Sequence, residues 1–529
     1  MNKVLPLISL FIISIISIFY WTLKPKNELY DAKWNVPDTT LAITINGEIS
    51  TTFPTTNAYT SIVECTNGTG KAEWNGTKWI LIASGITKGS AKCNITFTQT
   101  FKDIILADNE VKTPLTTPGS EVSAHVLDDV ESVTTSVSST YQAYYFTYGT
   151  GWTANGTKFN LTGTAVTADT YANSYSSLVG KYFVSSSASS NGSSTAGTMQ
   201  TTTNLSSVYY VVSTTSSSYT YKVISSNKNT TEALLASTED DYGTSYYFRG
   251  AVKNNYVQFA NKCWRIVRIN GDGSVKLVLH NDNTSKVSSP CAASNNSTAA
   301  AFARYSGSSY TSTFNRYYGD NAHIGFMYGT ASSSSYASTH ANTNKSTILT
   351  NLETWYTNNL TSYADKLADT IWCNDKSTVS GGLGYGHNET NYAAYNRLVS
   401  TKQPTLKCPN DNNGGKLSKF TVDDTTNGNG NLTYKMGLLT ADEIAFSGAV
   451  FGYYNRSTYL QENTGTQWWW SLSPGHFYSV SANILGVYLG NFINFDLYNS
   501  GGLRPAISLV SSTAVSGGTG TSSDPYVVE

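Results

Sequence analysis

The chain has 529 residues and is nearly neutral, with 34 Lys and Arg against 35 Asp and Glu. That length exceeds one ordinary domain, and the balance excludes both a basic field for a nucleic-acid backbone and an acidic tail. With 37 Tyr, 11 Trp and abundant Ser, Thr, Asn and Gly, the composition favours strands, turns and wet aromatic surfaces over long helices, and so an extracellular, mainly β protein.

After Met1-Asn2-Lys3 comes an apolar run over residues 4–23, closed by Lys24 and Lys26. A run of about 20 apolar residues can cross a bilayer as a helix. A cleaved signal peptide has a shorter apolar region and a small-x-small site. No Ala-x-Ala follows here, and Tyr20 and Trp21 suit the membrane interface. Residues 1–35 are therefore expected to be a single-pass N-terminal anchor with the bulk on the extracellular side, or a secretion signal if cleaved. In such a setting an even number of cysteines implies disulfides. The six form three local couples, predicting Cys65–Cys93, Cys263–Cys291 and Cys373–Cys408. Zinc is disfavoured because no Cys-x-x-Cys occurs and the His residues are scattered.

Residues 36–115 read as a small β-domain. Thr40-Leu-Ala-Ile-Thr-Ile-Asn46 alternates as a strand does, and Asn75-Gly76 sits between strand-like flanks as a hairpin signal. Cys65 and Cys93 bracket that hairpin together with Trp79; a disulfide packed on a Trp resembles the immunoglobulin-type sandwich. Residues 116–135 look like a linker. Residues 140–235 hold strand-like Tyr- and Val-rich stretches, including 180–184, 208–212 and 219–224, and form a second small β-domain. From 240 the texture changes to strands at 256–259, 263–269 and 275–279, the last two joined by an Asn270-Gly-Asp-Gly273 turn. That turn lacks the spaced acidic ligands of a calcium loop. Ile348, Leu349, Leu352, Trp355 and Tyr356 recur at helical spacing over 345–359, with Tyr363 and Leu367 beginning another helix. Thr440-Ala-Asp-Glu443 is a capping box. Short strands close the chain, and 513–529 reads as a C-terminal tail.

Trp470-Ser-Leu-Ser-Pro474, Gly486-Val, Gly490 and Gly502-Leu-Arg-Pro-Ala-Ile-Ser-Leu509, with the earlier Tyr246-Tyr-Phe-Arg-Gly250 and Cys263-Trp-Arg-Ile-Val-Arg268, resemble the C-type-lectin-like module of exported bacterial surface proteins. That module is similar in fold to formylglycine-generating enzymes and to the variable proteins of diversity-generating retroelements. The resemblance covers 240–512 and implies an α+β lectin-like module behind small β-sandwich stalk domains. Gly501 and Gly502 are expected at a close turn, Arg504 in a buried gap and Pro505 where pairing stops, with Gly502, Arg504 and Pro505 structural in role.

Three consecutive tryptophans precede this motif. In a strand Trp468 and Trp470 share one face and Trp469 takes the other, so one set is expected in the core and the other at the rim of a binding surface. Residues 475–499 are read as loops rich in the residue types of adaptable binding sites. The ligand-binding set expected is Trp468, Trp470, His476, Tyr478, Asn483, Tyr488, Asn491, Asn494, Asp496 and Tyr498. The function expected is a non-catalytic, adhesin-like protein binding an extracellular protein or glycan, with no cofactor, no metal and no nucleic acid. Rival readings are a formylglycine-generating type of enzyme, disfavoured because no cysteine follows Cys408, a glycoside hydrolase, and a structural surface-layer or pilus-like component. Gly384-Tyr-Gly-His387 and Asp423-Asp424 form no Ser-His-Asp arrangement, and Gly-x-Ser-x-Gly is absent. The Glu-Pro-Asn and Trp-Asn-Asp motifs of calcium lectins are absent as well.

Overall fold

The computed structural model describes residues 40–528, apart from 57–58, 67, 85–91, 115–116, 121–132, 411–412, 455–457 and 479. Between 133 and 232 it describes only the backbone of paired strands. The apolar 4–23 run lies outside these residues, and among the described residues no helix is long and apolar enough to cross a membrane. The protein is mainly β and divides into two compact units.

The first unit comprises residues up to 109 with 511–516. Its four-stranded sheet runs Glu48–Ser50, Thr40–Ile45, Lys92–Thr98, Thr60–Cys65. The two central strands are parallel, and the others antiparallel. The predicted hairpin pairs Thr69–Trp74 with Trp79–Ser84. Asn75 closes it by accepting Thr77 N–H and Lys78 N–H at 3.0 and 2.9 Å, and Gly76 supplies the positive φ of 99° that the turn needs. Alternate side chains of hairpin and sheet meet in one core of Ile43, Ala72, Trp79, Leu81, Ile95 and Phe97. Cys65 and Cys93 lie directly opposite each other and are disulfide-bonded. A helix over Phe101–Asp108, unforeseen in the sequence reading, starts on a Thr100/Asp103 capping box and buries Phe101 and Ile105.

The second unit holds 110–510 and 517–528. Seven antiparallel strands between 133 and 224 form one sheet, with strands at the predicted 182–184, 208–214 and 218–224. A second sheet is built on Lys262–Ile269, which pairs with Gly243–Arg249, Tyr256–Phe259 and Val275–Asn281. Leu234–Asp240 extends one edge, Ala506–Leu509 pairs with Val275–Asn281, and Tyr526–Val527 pairs parallel to Tyr256–Phe259. Residues 517–528 are thus not a tail: Tyr526 is wholly buried and completes the sheet.

Lys262–Ile269 and Val275–Asn281 are buried along their whole length although they carry Lys and Arg. Buried charges persist only when paired, and these are. Lys262 meets Asp282 at 2.8 Å, Arg265 meets Glu462 at 2.5 Å, and Glu443 takes both Arg268 at 3.0 Å and Lys276 at 2.7 Å. Glu443 also closes the capping box of the helix Ala441–Phe446. The predicted amphipathic helix is Thr347–Asn359, capped by Ser346 and burying Ile348, Leu349, Leu352, Trp355 and Tyr356. The expected second helix is a 3₁₀ turn over Thr361–Lys366. All three predicted disulfides are present.

Candidate functional site

The segment expected to be loops is instead a three-strand antiparallel meander, Trp469–Tyr478, Ser481–Tyr488 and Asn491–Asp496, within a third sheet. Its apolar members explain this: Leu472, Phe477, Ile484, Leu485, Val487 and Phe492 are all buried. The strand Ser481–Tyr488 separates the two ends of the meander by about 24 Å at 3.4 Å per residue. The predicted residues therefore fall into two groups rather than one site.

At one end stand Trp468, Tyr488 and Asn491. Trp468 is half-buried, lies flat on Phe495 (centroids 3.8 Å apart, planes 10° apart) and meets Trp470 edge-on at 4.8 Å. The shared face of Trp468 and Trp470 is as alternation requires, yet Trp470 is wholly buried and donates Nε1–H to Ser312 O at 2.7 Å. It presents no ring to a ligand, which removes it from the binding set. Trp469 occupies the other face, under the Arg504 guanidinium at 5.0 Å. Asn491 is also buried, accepting Gly452 N–H at 2.7 Å, and is likewise removed.

Gly501 and Gly502 make no turn: they lie in the strand Ser500–Gly502. A Cβ on Gly501 would come within 2.3 Å of the Trp468 ring, and one on Gly502 within 2.5 Å of Phe302. Close approach of rings is what these glycines permit. Arg504 is buried and donates to Leu279 O at 2.9 Å and Leu460 O at 2.6 Å, while Pro505 O accepts Leu279 N–H at 3.0 Å.

The opposite end carries His476, Tyr478, Asn483, Asp496 and Tyr498, with Asn494 part-way along beside Gly475. Asp496 organises it by accepting Ser481 Oγ–H at 2.5 Å and Asn483 Nδ2–H at 2.6 Å. It also takes the phenol of Tyr498, and that hydrogen bond holds the Tyr498 hydroxyl above its usual pKa. Asn483 is buried in this role, so it positions Asp496 rather than meeting a ligand. Half-buried His476 packs edge-on to Tyr395 at 5.6 Å, and burial lowers its pKa against the opposing pull of Asp496.

A neighbouring segment that the sequence reading missed completes this end. Tyr318 O accepts Ala482 N–H at 2.8 Å, and Leu497 O accepts from Phe314 N–H and Asn315 N–H at 2.9 and 3.2 Å. These bonds set Arg316, Tyr317 and Tyr318 beside the meander, with the Tyr318 ring 4.8 Å from Tyr498. Arg316 covers the Tyr317 ring at 4.7 Å, and His323 meets Tyr317 at 5.4 Å. The large side chains left exposed here are Tyr317 (47%), Tyr318 (41%), Tyr478 (64%), Val480 (70%) and Tyr498 (48%). In a chain this rich in tyrosine no sequence signal separates Tyr317 and Tyr318 from the buried rings.

An open cleft of about 530 Å³ lies elsewhere in the unit, lined by Asp240, Asp241, Lys407, Asn410, Lys419 and Asn427 among others. Its carboxylates are committed: Asp240 to Arg268, and Asp241 to Lys419 at 2.9 Å and to Cys408 N–H at 2.8 Å. Behind them Arg397 holds Asp375 at 2.7 Å and Asp442 at 2.9 Å. Acid–base chemistry needs a carboxyl free to exchange its proton with substrate, and this set is occupied with cations. Among the described residues no three His, Cys, Asp or Glu side chains gather as a metal site. Comparison with protein-family models, curated proteins and solved structures gives no match.

Proposed function

We propose that the protein is a membrane-anchored, adhesin-like binding protein of the cell surface. Its ligand, an extracellular protein or glycan, is held by the tyrosine surface around Asp496. The observation that carries this reading is the exposed group Tyr317, Tyr318, Tyr478, Val480 and Tyr498, gathered at one end of a buried meander. Tyr offers a large ring and a polar tip at low entropic cost, and contiguous exposed apolar patches mark binding surfaces. Three disulfides accord with an oxidising compartment. The finer architecture belongs to the same proposal: an immunoglobulin-like sandwich over 36–115 and a C-type-lectin-like module over 240–512, with Gly502, Arg504 and Pro505 supporting its closing strands.

The test is a glycan and extracellular-protein array probed with the purified protein, then with Tyr318→Ala, Tyr478→Ala and Tyr498→Ala. Ligands retained by the parent and lost by all three variants, with unchanged melting temperatures, support the proposal. Binding that survives the triple replacement refutes it.

A further inference from the structure

Among the described residues of the second unit four lysines are buried: Lys262, Lys276, Lys376 and Lys419. Three meet a carboxylate within 3 Å, Asp282, Glu443 and Asp241 respectively. Among the described residues Lys376, the most buried of the four, has no carboxylate partner. Its stem passes over Gly325, where an added Cβ would lie 3.1 Å from Lys376 Cε, and its Nζ lies 5.1 Å from the centre of the Phe420 ring. Nζ donates to Met327 O at 3.0 Å and to the side-chain Oδ1 of Asn342. An ammonium buried without a counter-charge gives up its proton, and burial lowers the Lys376 pKa to about 7. The neutral amine is a nucleophile, and the group in front of it is a carboxamide.

Asn342 is itself buried and held. Its Nδ2 donates to Leu417 O at 2.9 Å, which turns Oδ1, and with it the carbonyl carbon, toward Lys376. A base is nearby. His340, two residues before Asn342, is wholly buried, and its Nε2–H donates to Gly384 O at 2.8 Å. That bond fixes the tautomer with a lone pair on Nδ1, and Nδ1 has no hydrogen-bond partner. Burial first, and the charge of Lys376 second, push the imidazole pKa down to about 3, so it is neutral when the amine is.

We propose that Lys376 and Asn342 form an intramolecular isopeptide bond once the chain has folded. The Nζ lone pair attacks Cγ of Asn342 and an Nζ–Cγ bond forms. An Nζ proton passes to Nδ2, the Cγ–Nδ2 bond breaks, and ammonia departs, with the neutral His340 imidazole leaving the neighbouring Lys376 amine without an added positive charge. Nothing is oxidised or reduced, and no co-reactant enters. The product ties the segment before the strand Asn344–Lys345 to the chain just beyond Cys373. With the Cys373–Cys408 disulfide, two covalent links would then bridge residues 342–408. The inference does not rest on the proposed ligand-binding function, and its test is independent of any ligand.

The experiment is intact-mass analysis of the full chain after reduction, followed by tryptic mapping. A mass lower than the sequence by one ammonia is expected, with one branched peptide joining the segments that contain Asn342 and Lys376. Lys376→Met should restore the full mass. Asn342→Asp should shed water in place of ammonia. Full mass in the folded parent, with Lys376 recovered in a linear peptide, overturns the proposal. So does an ammonia loss without the branched peptide, which would be cyclisation of an asparagine elsewhere.

Discussion

The ion cluster on Glu443 makes a quantitative prediction about acid stability. Burial alone would raise this carboxyl, but Lys276 and then Arg268 outweigh it, and the group is held at about 2 against an ordinary 4.5. A carboxyl displaced that far contributes about 3 kcal/mol at neutral pH. Because the folded-state value is the lower one, that contribution is complete above pH 4.5. It is lost as the pH falls toward 2, where the folded state takes up its proton as well. Glu443→Gln keeps the shape but leaves Arg268 and Lys276 with an uncharged partner, and breaking a buried pair from one side costs about 3–5 kcal/mol. Denaturant unfolding of parent and variant, followed by tryptophan fluorescence between pH 7 and pH 2.5, measures both effects. The variant should be weaker by that amount at pH 7, and the gap should close toward pH 2.5. A loss below about 1 kcal/mol at pH 7, or a gap that stays constant with pH, would refute the assignment of that stability to the Glu443 charge.

Three other outcomes are expected. Gly501→Ala drives a methyl into the Trp468 ring, 2.3 Å away, and should destabilise by about 1–3 kcal/mol, read as a fall in melting temperature. Arg504→Met leaves the buried carbonyls of Leu279 and Leu460 without their donor and should cost about 2–5 kcal/mol, whereas Tyr478→Ala, at an exposed position, should cost under about 0.5 kcal/mol. Non-reducing peptide maps should return the three local disulfides, and removing the 28-residue link Cys263–Cys291 should cost about 3–4 kcal/mol on the chain-entropy account.

Local signals were legible wherever the chain obeys one strong rule. The Asn75-Gly76 turn, the Thr440–Glu443 capping box, the 3.6-residue period of Ile348 to Tyr356 and the short spacing of each cysteine couple all reappear. The errors came where a rule depends on partners distant in sequence. Residues 475–499 resemble loops because their Asn and Tyr are loop-type residues, yet Phe477, Ile484, Leu485, Val487 and Phe492 pack into the core, and pairing within the meander makes strands of them. Tyr526-Val527 looked like a tail because two residues carry no periodicity; their strand exists only because Tyr256–Phe259 offers it an edge. Asp496 was found in the sequence, but Tyr318 was not, since what joins them is a backbone bond from Ala482 across 164 positions of chain.

The run of three tryptophans shows how burial divides adjacent identical residues. Trp470 is covered by Phe314 at 5.6 Å and bonded to Ser312, Trp469 supports the Arg504 guanidinium on the opposite face, and Trp468 lies on Phe495 against the bare backbones of Gly486 and Gly501. Each ring fills a different gap, so none of the three is free to reorganise around a ligand. A meander pinned in this way at one end presents Tyr478, Ser481 and Tyr498 on a stiff support. Side chains already held in place lose less entropy on binding than those on a mobile loop. Under the proposed function, the tryptophans therefore act through the rigidity of the strands that carry the tyrosines.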